Sequence, residues 1–278
     1  MWSGSFVKMQ GIGNDFIVIE AVEEDWAVLA PRLCDRRFGI GADGILLVHP
    51  SDEADFRMQI FNADGSEPEM CGNGLRCFAR YVQRQGLTDR TMLRIETRAG
   101  VLEVQIQESG RVQIDMGRPR LERAAIPMHG SLEEPVIEES LTLGDRAFSV
   151  TAVSMGNPHA VVFVDDLEAF PFDTYGPLLE SHAAFPRHAN AEFVQPLARD
   201  RLLVKVWERG VGPTLACGTG ACAVLVAAVL TGRSEPKATI ALPGGELEVA
   251  WRDGHVFLAG PAEPVFSGQW FGPSVKEV

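Results

Sequence analysis

Short apolar runs rich in β-branched residues alternate along most of the chain with clusters of Gly, Pro, Asn and Asp, the pattern of strands joined by turns. Phe16 to Val22, Gly44 to Val48, Met92 to Glu96, Val101 to Ile106 and Val112 to Met116 are clear cases. Helical spacing is confined to Asp25–Asp35, Gly74–Gln85, a weaker stretch Phe172–Ala184, and Gly220–Thr231. The balance predicts a strand-rich α+β fold.

Sliding the second half of the chain over the first shows an internal repeat. At an offset of 146 residues, Gln59-Ile60-Phe61-Asn62 falls on Lys205-Val206-Trp207-Glu208, and Glu69 to Gly74 falls on Leu215 to Gly220. At an offset of 143, Gly13-Asn14-Asp15 falls on Gly156-Asn157-Pro158, each followed by a strand-like run. A repeat this long suits a duplicated domain whose copies meet with equivalent features facing each other across a pseudo-twofold axis. A length of 278 residues accommodates two such domains. The linker is expected near Arg118 to Pro127, where Pro, Arg and Ala interrupt the strands.

Composition narrows the partners. A 46% hydrophobic and 23% charged chain has the apolar mass for a sizeable core. Its 25 Lys and Arg against 38 Asp and Glu give a net charge of -13, which argues against nucleic-acid and anionic-membrane partners. The longest apolar run, Ala221 to Leu230, is far shorter than the roughly 20 residues a bilayer requires. Met1 to Gln10 lacks the basic and apolar segments of a signal peptide, so a cytoplasmic location is expected. Five cysteines, an odd number without a secretory signal, read as thiols rather than a disulfide framework.

Two of those cysteines occupy the same slot of the repeat. In each copy a strand-like segment leads through a polar loop to Cys-Gly-x-Gly and then to a helix, which puts Cys71 and Cys217 near helix N-termini. Unpaired backbone N–H groups and the helix dipole favour an anion there. A thiol in such a place can fall from about 8.5 to roughly 3.5–7.5. The same N–H groups can bind a carboxylate. Removing an amino acid's α-proton and returning it on the other face needs a base and an acid on opposite sides of the carbon. Two equivalent cysteines facing across a domain cleft fit that need, which points to a cofactor-independent amino-acid racemase or epimerase. One thiol must be ionised while the other is not, so each requires a partner to adjust it. His159, after Gly156-Asn157-Pro158, and Glu208, nine residues before Cys217, are the candidates.

Other chemistries fit less well. Cys34, Cys77 and Cys222 read as small buried residues. Cys71 with Cys77, and Cys217 with Cys222, have helical spacings that do not share a face and do not match a zinc pattern. No G-x-x-x-x-G-K-[ST] occurs, and Gly11-Ile12-Gly13 is followed by Asn14-Asp15-Phe16 rather than completing G-x-G-x-x-G. No lysine is singled out for a pyridoxal Schiff base. No metal and no cofactor are therefore expected.

Five blocks together resemble diaminopimelate epimerase over nearly the whole chain: Lys8 to Phe16, Arg37 to Gly44, Phe61 to Cys77, Met155 to His159, and Trp207 to Gly220. The resemblance implies two pseudo-symmetric domains, each a mixed β-barrel-like sheet around a central helix. Residues 1–120 with a returning segment 265–278 would form one domain, and 121–264 the other, with the active site in the cleft between them. It also implies interconversion of LL- and meso-diaminopimelate in lysine and cell-wall precursor synthesis, and a homodimer. Cys71 and Cys217 match the catalytic pair, and His159 and Glu208 the groups that tune them. Asn14, Asn62, Asn157, Asn190, Glu208 and Arg209 match substrate-holding side chains, while Gly72-Asn73 and Gly218-Thr219 match the helix-start cradles. The sequence departs from the family pattern at Gly44, where a side-chain amide is usual, and at Gln10, where His is common. Two other readings are a proline or hydroxyproline racemase-like two-cysteine isomerase and a relative of the phenazine-pathway type. The first is disfavoured by Asn62, Asn190 and Glu208-Arg209, which suit a second charged end, and the second by the paired Cys-Gly-x-Gly slots.

Overall fold

A computed structural model describes residues 2–131 and 133–272. Met1 and residues 273–278, which belong to the expected first domain, lie outside the described residues. The chain divides into two compact units, one running to Ile114 and resuming at Gly260, the other spanning Asp115–Ala259. Residues 118–127 fall in the second unit, where Arg120 pairs with Ser154.

The first unit is built from β1 (Gly4–Gly11), β2 (Asn14–Glu20), α1 (Trp26–Leu33), β3 (Gly44–His49), β4 (Phe56–Asn62), α2 (Gly72–Arg84), β5 (Met92–Thr97), β6 (Gly100–Ile106) and β7 (Val112–Asp115). The second contains β8 (Glu139–Leu143), β9 (Arg146–Ser154), β10 (Pro158–Phe163), α3 (Phe172–Glu180), β11 (Asn190–Ala198), β12 (Arg201–Glu208), β13 (Gly212–Thr214), α4 (Gly218–Leu230), β14 (Lys237–Leu242), β15 (Gly245–Arg252) and β16 (His255–Gly260). The last strand, β17 (Glu263–Trp270), returns to the first unit and pairs antiparallel with β1.

The two units follow one plan. From β17 through β1 to β7, successive neighbours are antiparallel, antiparallel, parallel, antiparallel, parallel, antiparallel and antiparallel. The series β8, β9, β10, β11, β12, β14, β15, β16 repeats that order. Each parallel step needs a crossover, supplied by α1 and α2 in one unit and α3 and α4 in the other. The sheet of the first unit wraps around α2, which touches β1, β2, β3, β4, β6 and β17. In the second, α4 touches β9, β10, β11, β14 and β15. The fold is the expected α+β type with two repeated parts.

Position in the sheet explains the two central helices. Every residue of α4 from Gly220 to Ala228 is buried, and its sequence is apolar all round, as a helix enclosed by sheet requires. In α2 the polar residues Arg80, Gln83 and Arg84 escape full burial, but Arg76 is completely enclosed. Its Nε donates to the Pro261 carbonyl at 3.2 Å, fastening the returning segment to the central helix. Both helices begin two residues earlier than apolar spacing alone predicts, and α3 ends at Glu180 rather than Ala184. Smaller cores lie outside the central helices: Trp2, Trp26 and Leu33 pack with Ile17 and Ile45 in one unit, and Phe148, Phe170, Tyr175 and Phe193 in the other.

An ionic cluster ties the loops of the first unit together. Asp15 takes Arg36 through both oxygens, at 2.7 and 3.0 Å, and meets Lys8 Nζ at 2.7 Å. Lys8 also donates to the Gly41 carbonyl, and Arg36 reaches on to Asp43 at 2.8 Å. Burial alone would raise the Asp15 carboxyl, but Arg36 and Lys8 outweigh it and hold it at about 2.

Two measurements check these anchors. Arg76→Ala removes a charged hydrogen-bond donor and leaves a cavity, so urea unfolding should show a loss of about 3 kcal/mol. Asp15 binds its proton less readily folded than unfolded, so its stabilisation is complete above the ordinary carboxylate range and lost as pH falls through about 2. Unfolding free energy should therefore drop by about 1–2 kcal/mol over that window, and Asp15→Asn should flatten the drop.

Candidate active site

A buried helix start leaves backbone N–H groups that must find acceptors. Here the acceptors are sulfur. Cys71 caps α2 with its thiol facing the Gly74 N–H at 3.4 Å, and Cys217 caps α4 with its thiol facing the Gly220 N–H at 3.3 Å. Both cap residues are extended, and none of the five cysteines is in a disulfide. The predicted slot is therefore realised more tightly than expected, because each cysteine is the cap itself.

In the first unit, Asn14 Oδ1 lies 3.8 Å from Cys71 Sγ and accepts from Asn73 Nδ2 at 3.2 Å. Its other end donates to Asp43 Oδ2 at 2.7 Å, so the ionic cluster around Arg36 sets the carboxamide's direction. Asn62 stands at the end of β4, opposite Gly44, and donates to Ser66 Oγ. A Cβ on Gly44 would come within 2.6 Å of the Phe61 carbonyl, so a side chain here would require β4 to shift. Gln10 turns away to meet the Gly13 N–H and Glu263.

In the second unit the predicted residues gather on neighbouring strand ends. Asn157 Nδ2 donates to Thr219 Oγ1 at 3.3 Å, and that hydroxyl lies 3.5 Å from Cys217 Sγ. His159 Nε2 meets Asn157 Oδ1 at 3.0 Å, and Nδ1 meets Glu192 at 2.6 Å. Asn190, in register with His159, accepts the Arg209 backbone N–H at 2.9 Å and donates to the Pro158 carbonyl at 3.0 Å. Among the described residues, one N–H and one lone pair of its amide take no partner. The Arg209 side chain is exposed and donates to the Arg187 carbonyl. Glu208 accepts from Thr214 Oγ1 at 2.7 Å. Gly218 opens α4 beside Leu258.

Electrostatics correct one expectation. The helix start was expected to lower both thiols, yet burial pushes the Cys217 thiol well up, and the Glu208 and Glu192 carboxylates push it further. The Thr219 and Gly220 hydrogen bonds oppose this and lose. Burial also raises the Glu208 carboxyl, with Glu192 adding to the shift and Thr214 and His159 opposing it. Both residues expected to tune the thiols thus belong to the second unit.

Glu192 was missed. It lies within the strand Asn190-Ala191-Glu192-Phe193-Val194, fully buried. The 146-residue offset places it on Leu46, and a carboxylate replacing leucine in an apolar strand was a readable signal. Arg36 and Asp43, which orient Asn14, carried no such mark.

The chain has known relatives. The family model described as diaminopimelate epimerase matches residues 6–122 and 151–265, one stretch for each half of the repeat. The diaminopimelate epimerase of Desulforudis audaxviator (strain MP104C) is 55% identical over 274 residues, covering 95% of this chain and 98% of that protein. Among solved structures, a Bacillus anthracis phenazine biosynthesis protein of the PhzF family superposes with a TM-score of 0.71 at 16% identity, covering 97% of this chain and 99% of that one. A hydroxyproline epimerase from Agrobacterium vitis gives 0.63 at 16% identity, covering 96% and 92%. At such identities these two structures speak for the fold alone. With the family model on both halves and more than half of all positions shared with a full-length relative, the chain belongs to the diaminopimelate epimerase family.

Proposed function

We propose that this chain interconverts LL- and meso-2,6-diaminopimelate, in lysine and cell-wall precursor synthesis, by passing one α-proton between Cys71 and Cys217 without a cofactor. One observation carries the chemistry: a cysteine thiol caps the equivalent helix start in both units. A thiolate removes the proton from one face and a thiol returns one to the other, and the roles exchange with the direction of reaction.

The remaining residues divide the labour by charge. The N–H groups at Gly72-Asn73 and Gly218-Thr219 receive the α-carboxylate, where they also stabilise charge that develops on it as the proton leaves. Arg209 offers a planar fork to the distal carboxylate. Asn14, Asn62, Asn157 and Asn190 can serve either sign, and the Glu208 carboxylate suits an ammonium group. A cyclic monocarboxylate such as proline would leave Arg209 without an anion. His159 and Glu208 adjust the thiols from the second unit. Five cysteines without a disulfide fit the reducing cytoplasm. The homodimer that completes this reading fits the outer strand β17, where Val265 and Phe266 lie exposed, as does Phe271 beyond it.

Three outcomes are expected. In deuterated water LL-diaminopimelate should gain deuterium at one α-carbon without added metal or pyridoxal phosphate, while L-proline should not; exchange into proline alone would reverse the substrate assignment. Cys71→Ser and Cys217→Ser should each lower turnover by about 10³-fold or more, measured by optical rotation or chiral chromatography. Because burial raises Glu208, the acid limb of kcat/KM should fall at a pH above the ordinary carboxylate range, and Glu208→Gln should abolish that limb.

A further inference from the structure

Behind each cysteine cap lies a pair of side chains from two adjacent parallel strands, and the pairs differ in kind. In the first unit they are Phe16 on β2 and Leu46 on β3. A Cβ on Gly74 would stand 3.1 Å from Leu46 Cδ2 and 3.5 Å from the Phe16 ring. In the second unit β10 and β11 supply His159 and Glu192, and a Cβ on Gly220 would stand 2.9 Å from Glu192 Oε1 and 3.2 Å from Cys217 Sγ. Strand register fixes the correspondence: Phe16 lies opposite Gly44 with Leu46 two residues on, and His159 lies opposite Asn190 with Glu192 two residues on. All four side chains are buried, and both members of the polar pair are wholly so.

A polar pair is costly where an apolar pair fills the same place. Among the described residues, Glu192 Oε2 is buried with no hydrogen-bond partner, which adds to that cost. What the polarity secures is a single line of hydrogen bonds. It runs from Glu192 Oε1 to His159 Nδ1, from Nε2 to Asn157 Oδ1, from Asn157 Nδ2 to Thr219 Oγ1, and from that hydroxyl to Cys217 Sγ. Asn157 Oδ1 can only accept, so Nε2 donates to it, and Nδ1 is held against the carboxylate at 2.6 Å. The titratable groups around Glu192 are His159 from β10, Glu208 from β12 and Cys217 at the start of α4.

We propose that Glu192 is a positioning residue for the proton chemistry of Cys217: it holds His159 by Nδ1, and through Asn157 and Thr219 it fixes the direction of the sulfur. The two cysteines are thereby unequal by construction, one backed by a polar line and the other by an apolar floor. This rests on the two-cysteine assignment above, and the test includes a readout that needs no substrate.

Glu192→Gln and the double variant His159→Phe with Glu192→Leu would be compared with the wild-type chain. The double variant copies into the second unit the floor with which the first unit already folds, so it remains informative if the single variant fails to fold. Iodoacetamide alkylation would be followed against pH, with Cys71 and Cys217 resolved by peptide mass spectrometry. In Glu192→Gln the line loses its hold on His159 Nδ1, so the Cys217 midpoint should move while that of Cys71 stays. With diaminopimelate, both variants should lose about 10–100-fold in kcat while KM changes less than about threefold. A folded double variant with wild-type turnover and an unmoved Cys217 profile would overturn the proposal, as would an equal shift at both cysteines. If the wild-type chain does not turn over diaminopimelate, the substrate assignment fails while the alkylation readout still decides the role of Glu192.

Discussion

A helix enclosed on all sides by sheet has nowhere to send its first N–H groups, and that constraint organises this protein. An oxygen cap at each start would satisfy one of them strongly. A thiol is a weaker and longer-reaching acceptor, as the 3.3 and 3.4 Å contacts to Gly220 and Gly74 show. It leaves the helix start with unspent donor capacity beside a nucleophilic sulfur. The second glycine of each Cys-Gly-x-Gly keeps room behind the cap, since a Cβ at Gly220 would press on both the thiol and Glu192 and one at Gly74 would press on Leu46.

Duplication supplied two such sites, and the parts around them have diverged without disturbing the plan. Strand order, pairing sense and helix placement repeat across the units, while the residues behind the caps do not. Phe16 and Leu46 give one sulfur an apolar backing; His159 and Glu192 give the other a polar one. Orientation has followed the same course: Asn14 takes its direction from Asp43 and Arg36, and Asn157 from His159. Equal scaffolds thus carry unequal electrostatics, which suits a reaction in which one group gives a proton while its counterpart takes one.

How much of this was legible depended on whether the signal was local. The central helices, the paired cysteines and the repeat could be read because glycine spacing and apolar runs mark them directly. Apolar spacing alone missed only the helices' first two residues, because Gly72-Asn73 and Gly218-Thr219 look like turn residues until the thiol closes the first turn. Glu192 was hidden because an acidic residue in a strand ordinarily faces water, and only superposing the repeat shows it in leucine's place. The rise of the Cys217 thiol was hidden more deeply, since it depends on burial and on two carboxylates brought near by tertiary packing. Local rules put the dipole at the sulfur. Desolvation, which they do not see, decided the outcome.

The return of the chain to its first unit bears on how the protein is made. The second unit is one unbroken stretch, so all of its strands are available once Ala259 has been synthesised. The first is incomplete at that moment. The outer neighbour of β1 and the Pro261 carbonyl that receives Arg76 emerge only afterwards. During synthesis the first unit therefore closes only after the second can, and until then the flank of β1 stands open to mispairing with other chains.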